Sequence, residues 1–366
     1  MSETTGIKIL HAADFHLDSP FEALSATEAA ARRGEQRQLL RRISEIAASE
    51  NVDAVLFAGD LLDSDYAYLE TAETLYREFE SLGVPVFLAP GNHDYYSPRS
   101  PYAKLKLPEN VHIFKSAEPT CVPLSSLGVR IWGAAFTSPA SSPMLSGFEP
   151  PRGEGLLDIM VIHGEVSPRE SQYNSITEDE LRRSGMKYVA LGHIHAFSGL
   201  RRSGETFYAW PGCPEGRGFD ETGEKGVIIA EISAVSCELR FVPLGGRRYE
   251  TVNVQVGTNA LEAVLAALPE RTENDIYRII LQGETDGLSL PALERALAPG
   301  FYHLELRDRT TIRRSVWERS GDEGLRGSFL TKLLKKHDSA KSEEERELYA
   351  EAAKWGLRAL DNADET

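Results

Sequence analysis

Near-continuous apolar runs, rather than alternating ones, mark the first two thirds of the chain: IKILHAAD (7–14), DAVLFAGD (53–60), VPVFLAPG (84–91), VRIWGAAF (129–136), LDIMVIHG (157–164) and KYVALGHIH (187–195). Runs without a polar face are those of strands covered on both sides. Between the first three lie stretches of helical texture, FEALSATEAAARRGEQRQLLRRISEIAASE (21–50) and YAYLETAETLYREFESLG (66–83). Strand, helix, strand, helix, strand is the order of a layered α/β domain. The later runs TFYAWPG (206–212), GVIIAEI (226–232) and CELRFVPL (237–244) are separated by turns too short for helices. They predict antiparallel or mixed additions to the same sheets.

The texture changes at GGRR (245–248). Beyond it, YETVNVQV (249–256), TNALEAVLAAL (258–268), DIYRIILQGE (275–284), LPALERAL (290–297) and FYHLELRDRT (301–310) read as a compact β-α-β-α-β unit, and 327–336 and 342–360 as helices. The predicted division is 1–245, 246–312 and 313–366.

Composition narrows the class without naming it. At 366 residues, 41% hydrophobic and 26% charged, the chain matches an average soluble protein. No run approaches the roughly 18 apolar residues of a membrane span, and the N-terminus lacks a cationic start before a long apolar stretch. The expectation is therefore cytoplasmic, with no membrane partner. Three cysteines, Cys121, Cys213 and Cys237, are an odd number without CxxC spacing, which argues against a disulfide framework or a cysteine metal site. A net charge of −16 disfavours a phosphate-rich partner, but it is unevenly spread. Residues 1–245 carry 22 Lys/Arg against 34 Asp/Glu and 337–366 carry 4 against 9, whereas 301–336 carry 9 against 5.

The chemistry lies at strand ends. Five segments close a predicted strand with Asp, Asn or His: Asp14 and His16 in ADFH, Asp60 and Asp63 in GDLLD, Asn92, His93 and Asp94 in GNHD, His163 in IHG, and His193 and His195 in GHIH. Ligands in α/β sheets bind beyond the carboxyl ends of strands, so these residues can converge. A single such Asp is ordinarily a turn former and a single His a core residue, but five segments in series, holding five of the nine histidines, go beyond that. Oxygen and imidazole donors without thiolate suit Mn, Fe or Zn. Two ions sharing a carboxylate, about 3.5–4 Å apart, are an established arrangement for phosphate ester hydrolysis. Alternation in an extended chain would turn Asp14 and His16, or His193 and His195, to one side. Glycines 59, 91, 164 and 192 predict tight turns there.

The series DxH, GDxxD, GNHD, H, GHxH over residues 14–195 resembles the signature of calcineurin-like metallophosphoesterases. The resemblance implies a four-layer α/β/β/α sandwich with a dinuclear site at one edge. Asp14, His16 and His195 would hold one metal, Asn92, His163 and His193 the other, and Asp60 would bridge. His93 would contact the phosphate and protonate the leaving oxygen, Asp94 would orient it, and Asp63 would brace its loop. The segments ILHAADFHLDSPF and WPGCPEGRGFDETGEKGVIIAEI further resemble the DNA repair exonuclease branch, SbcD-like and YhaO-like. Asp18, where many SbcD proteins have Gly, points to the YhaO-like subgroup, and Cys213 stands where Ser is usual. That branch implies two divalent metals, most often Mn with Fe, Zn or Mg as alternatives. It also implies DNA as substrate, residues 246–312 as a capping domain, a homodimer, and an SMC-like ATPase docked by the C-terminal helices through a face containing residues 329, 330, 333 and 334.

Three functions fit these residues. The first is a DNA nuclease, for which Arg307, Arg309, Arg313 and Arg314 would supply a basic ledge. The second is a small-molecule phosphodiesterase on the same metal centre, which has little need of residues 249–310. The third is a non-catalytic adaptor, disfavoured by the intact ligand set.

Overall fold

A strand covered on both faces needs apolar residues at every position, and β1 (Gly6–Ala12) shows where each parity goes. Ile7 and Ile9 enter one hydrophobic cluster, Leu10 and Ala12 another. The computed structural model describes residues 6–22, 24–64, 66–150, 155–168, 171–285, 288–312 and 317–363. Following β1 in chain order come β2 (Ala54–Phe57), β3 (Val86–Leu88), β4 (Val111–Ile113), β5 (Thr120–Leu124), β6 (Val129–Gly133), β7 (Leu157–His163), β8 (Glu165–Val166), β9 (Ser175–Ile176), β10 (Tyr188–Gly192), β11 (Arg201–Ser203), β12 (Thr206–Ala209), β13 (Gly226–Ser233) and β14 (Cys237–Pro243).

Two mixed six-stranded sheets result, ordered β14-β13-β1-β2-β3-β4 and β11-β12-β10-β7-β6-β5. The central neighbours β1, β2 and β3 are parallel, as are β6, β7, β10 and β12. As expected, β13 and β14 extend the first sheet antiparallel. The short edge strands β4, β5 and β11 are not evident in the apolar pattern. β5 has three exposed positions of five and β11 two of three, because an edge strand buries less.

The sheets face each other across a cluster that includes Ile9, Leu56 and Ile228 from one and Ile131, Val161 and Ala190 from the other. On the outer face of the first sheet lie α1 (Ala26–Glu50) and α2 (Leu69–Leu82). α1 buries Arg32, Gln36, Leu39, Leu40, Ile43 and Ala47, one helical stripe. It starts later than the apolar texture predicts, because Ser25 and Glu28 form a reciprocal capping box. The outer face of the second sheet is covered by a thinner layer, including α4 (Glu178–Arg183) and the segment around Ala134–Phe148, whereas Tyr102 of the short helix α3 (Pro101–Lys104) joins the cluster on the outer face of the first sheet. The fold is mixed α/β in four layers, consistent with the sandwich expected.

By contacts the chain forms two compact units, the first being Met1–Arg217 with Glu224–Gly246 and the second Gly218–Gly223 with Arg247–Thr366. The second contains the parallel sheet β15 (Tyr249–Gln255), β16 (Ile276–Gln282) and β18 (His303–Asp308), linked by α5 (Ala260–Ala267) and α6 (Leu290–Leu297) around Val264, Ile279, Leu281 and Leu293. β17 (Glu284–Thr285) pairs with β19 (Thr311–Ile312). Among the described residues beyond it are the helices α7 (Leu325–Asp338) and α8 (Glu343–Ala363). Phe329, Leu330 and Leu333 of α7 pack with Ala353 and Leu357 of α8. Of the face expected to receive a partner, Leu330 is buried and Phe329 and Leu333 half-buried in this cluster inside the chain, while Leu334 lies outside it.

Candidate metal centre

Beyond their strands the motif residues leave extended geometry. Asp14 and His16 have φ of 57° and 45°, Asp60 has 49° and His193 has 95°. Side chains seldom adopt this left-handed region, and strained residues concentrate at functional sites. The expected alternation of Asp14 with His16, and of His193 with His195, is thus corrected. β1 and β10 stop at Ala12 and Gly192, and the reversals beyond them fold each pair inward. Backbone bonds fix the first reversal, Asp14 N–H to Gly59 O at 3.0 Å and His16 N–H to Asp60 O at 2.9 Å. The glycines serve mainly closeness rather than turning. Gly59 has a positive φ of 88°, but at Gly192 a Cβ would lie 1.8 Å from Ala58 O, and at Gly91 2.2 Å from Asp60 Oδ1.

This crowding brings both sheets' side chains together. Asp60 Oδ2 lies 3.3 Å from His163 Nε2 and 3.7 Å from His16 Nε2, while Oδ1 accepts from the His93 amide at 3.0 Å. His16 Nε2 faces His195 Nε2 at 3.3 Å, and Asn92 Oδ1 faces His163 Nε2 at 3.0 Å. Asp14 accepts from the His193 amide at 2.9 and 3.1 Å. The His193 ring stands 5.3 Å from that of His163 and 5.1 Å from Tyr173. Ligand atoms of Asp14, His16 and His195 lie within 4.8 Å of one another, as do those of Asp14, Asp60 and His163. Asp14, His16, Asp60 and His163 are all buried.

The donor set calls for cations. His163 Nδ1 is 2.8 Å from the Ala58 carbonyl, so its N–H is spent there and its Nε2 lone pair meets Asn92 and Asp60 oxygens. His16 likewise gives Nδ1–H to Asp63 Oδ1 at 2.9 Å, leaving a lone pair toward His195. Lone pairs facing lone pairs in a buried pocket are costly unless a proton or metal stands between them. The electrostatics agree. Burial draws the His163 imidazole down, but the charge and hydrogen bond of Asp60, with Asp14, push it up to about 9. Burial opposes ionisation of Asp60, yet His163, His16 and His93 hold its carboxyl well below the usual range. Burial and the charge of His163 keep the His193 imidazole below its ordinary value. The residues present fit two divalent ions.

His93 is exposed, its ring edge-on to His16 at 4.7 Å and its Nδ1 3.4 Å from the Asp63 carbonyl and 3.9 Å from Asp63 Oδ1. Asp94 does not fill its expected place beside that ring. It is buried, accepting from the amides of Gly91 and Leu61 at 2.7 Å, Leu62 at 3.1 Å and Asp60 at 3.3 Å, and from the Tyr102 hydroxyl. Asp94 therefore ties the Asp60 loop to the Asn92 loop, because a buried carboxylate surrounded by amides cannot also turn to the imidazole. Asp63 is the group between His16 and His93. Asp18 is also structural, accepting from the Tyr68 amide and Thr71 hydroxyl.

Sequence reading missed Arg217, whose Nη1 lies 3.3 Å from Asp63 Oδ1, although PEGR falls inside a segment already singled out. It also missed Tyr173, for which the sequence carries no signal. In the second unit Arg307 is exposed but paired with Glu305 at 2.5 Å, which offsets its charge; Arg309 is exposed, and Arg313 and Arg314 lie outside the described residues.

Residues 7–197 match the family described as calcineurin-like phosphoesterase. The chain is 30% identical over 349 residues to an uncharacterized metallophosphoesterase, YhaO, of Bacillus subtilis (strain 168), covering 90% of this chain and 85% of that one. It is 25% identical over 306 residues to the DNA double-strand break repair protein Mre11 of Sulfurisphaera tokodaii, covering 78% and 75%. The SbcD component of the nuclease SbcCD of Bacillus subtilis (strain 168) is 23% identical over 349 residues, covering 81% and 85%. Among the described residues no helix is long and apolar enough to cross a membrane.

Proposed function

This chain belongs to the calcineurin-like phosphoesterase family, and on that premise we propose that it hydrolyses DNA backbone phosphodiesters with two divalent metals. The observation that carries the reading is the Asp60 carboxylate oxygen shared between His163 of one sheet and His16 of the other. Asp14, His16 and His195 would hold one ion, Asn92, His163 and His193 the second, and Asp60 would contribute to both. When bound, such a pair, most readily Mn, would supply Lewis-acid polarisation of the phosphoryl group and a water of near-neutral pKa. Around it, Asp63 keeps His16 in the tautomer that binds, and Asp94 fixes the two loops. His93, exposed beside His16, protonates the departing sugar oxygen, a task suited to an imidazole near neutral pH.

DNA as substrate is supported by likeness to proteins named for double-strand break repair and for the SbcCD nuclease. In this reading the β15 to β18 module is the capping domain, Arg309 contributes to a phosphate ledge, and the chain works in the cytoplasm as a homodimer. An SMC-like ATPase then docks on exposed apolar positions such as Leu325 and Leu348, rather than on the α7 positions Phe329, Leu330 and Leu333 that pack with α8. The pairing of Arg307 with Glu305 favours a second reading, a small phosphodiester substrate.

The two readings separate in one assay. Chain loaded with Mn is given labelled single- and double-stranded DNA, and in parallel bis-p-nitrophenyl phosphate. Cleavage of both supports the nuclease. Hydrolysis of the small ester with every DNA form intact eliminates DNA and leaves the small-molecule phosphodiesterase.

A further inference from the structure

The segment after β12, WPGCPEGR (210–217), contributes no ligand to the proposed centre, yet it touches the loops that carry the ligands repeatedly. The His195 carbonyl accepts from Cys213 N–H at 3.4 Å and from Lys225 Nζ at 3.2 Å. Trp210 Nε1 donates to Gly164 O and Gly192 O, both at 3.1 Å, and so clasps the two strand ends that lead into the site. Two residues beyond Cys213, Glu215 is anchored to α1 by Arg32, whose Nη2 lies 2.9 Å from Glu215 Oε2, with both side chains buried. Gln36, one turn along α1, donates to Phe15 O at 3.3 Å, in the loop that carries His16. From this fixed base Arg217 reaches Asp63 Oδ1 at 3.3 Å and Ser19 Oγ at 3.4 Å. The same Asp63 oxygen accepts the Nδ1 proton of His16 at 2.9 Å.

We propose that Arg217 is a positioning residue for the metal held by Asp14, His16 and His195, acting through Asp63 to set the His16 tautomer. The inference rests on the two-metal reading above. An outer carboxylate that orients a histidine ligand must itself be held, and its loss ordinarily lowers metal affinity 10–100-fold. Arg217 supplies that hold from a loop anchored to α1 through Glu215, and Asp63 and Ser19, among the groups it meets, belong to the loops around His16. Its effect therefore falls on the ion that His16 binds. The sign is diagnostic: a guanidinium acting only as a nearby positive charge would repel a divalent ion, and its removal would strengthen binding.

The test is calorimetric titration of the full, chelator-stripped chain with Mn. Arg217→Ala is expected to weaken one of two Mn equilibria about tenfold and leave the other, and the melting temperature of the metal-free chain, unchanged. Arg217→Lys should restore most of the loss. In an Asp63→Asn background, Arg217→Ala should have no further effect. Unchanged or tighter binding in Arg217→Ala, or an additive loss in the double variant, overturns the inference. Failure of the unaltered chain to bind Mn at all would instead overturn the two-metal reading.

Discussion

Replacing Asp94 by Asn tests whether this residue belongs to the chemistry or to the framework. Its carboxylate, 1% exposed, receives four backbone amides from Asp60, Leu61, Leu62 and Gly91 and the Tyr102 hydroxyl. Asn keeps one oxygen and puts an NH2 where the other stood. In either flip that NH2 confronts buried N–H donors, at Leu61 and Leu62 or at Gly91 and Asp60. Hydrogen bonds to a charged group contribute about 1.5–3 kcal/mol each, and an unsatisfied buried donor costs about 1–3 kcal/mol. Burial and the charge of Asp60 already push the Asp94 carboxyl upward, so part of the charged bonds' worth is offset. A net destabilisation of about 2–4 kcal/mol follows. The measurement is urea unfolding of the metal-free chain, alongside the pH profile of hydrolysis for Mn-loaded protein under folding conditions. The framework role predicts a lowered unfolding midpoint with an unshifted profile. A change below about 1 kcal/mol, or a shifted alkaline limb with stability intact, would refute it and return Asp94 to the side of His93.

Further outcomes follow from the same geometry. His93→Ala should lower kcat on DNA by about 10²–10⁴-fold, with a smaller loss on bis-p-nitrophenyl phosphate, whose leaving group needs little protonation; equal losses would exclude the general acid. Asp60→Asn, or treatment with a chelator, should abolish hydrolysis, with added Mn rescuing only the chelated chain; rescue of both would remove Asp60 from the bridge. His11 is buried with Nε2 3.1 Å from Leu191 O and Nδ1 3.0 Å from the Tyr188 hydroxyl, and burial lowers its imidazole from 6.5 to about 3. Below pH 6.5 the unfolded chain gains a proton the fold refuses, so this contribution is complete above that pH and falls as pH drops toward 3. It amounts to about 2 kcal/mol between pH 7 and 5, read as the difference in urea stability slopes between the unaltered chain and His11→Gln. Equal slopes would show that the buried imidazole is not held neutral. A log-log plot of DNA affinity against salt should fall with a slope of several units if the ledge neutralises several phosphates; a flat plot would count against it.

Order, periodicity and residue type were enough to place the central strands, the β-α-β-α-β unit and the seven side chains Asp14, His16, Asp60, Asn92, His163, His193 and His195 at strand ends. These are local properties: a doubly covered strand must be apolar throughout, and a ligand must be a particular chemical type. Edge strands such as β5 were not legible, since half-exposed residues carry no such constraint. What the tertiary structure decided is which groups meet. The left-handed φ at Asp14, His16 and Asp60 exists only because the neighbouring loop accepts their amides and supplies the space that Gly91 and Gly192 leave open. Which of Asp63 and Asp94, not distinguishable by type, stands beside His93 depends on which carboxylate the buried amides surround. Arg217, 154 residues from Asp63 in the chain, enters the site through packing of its loop on α1, a contact that no spacing along the sequence encodes.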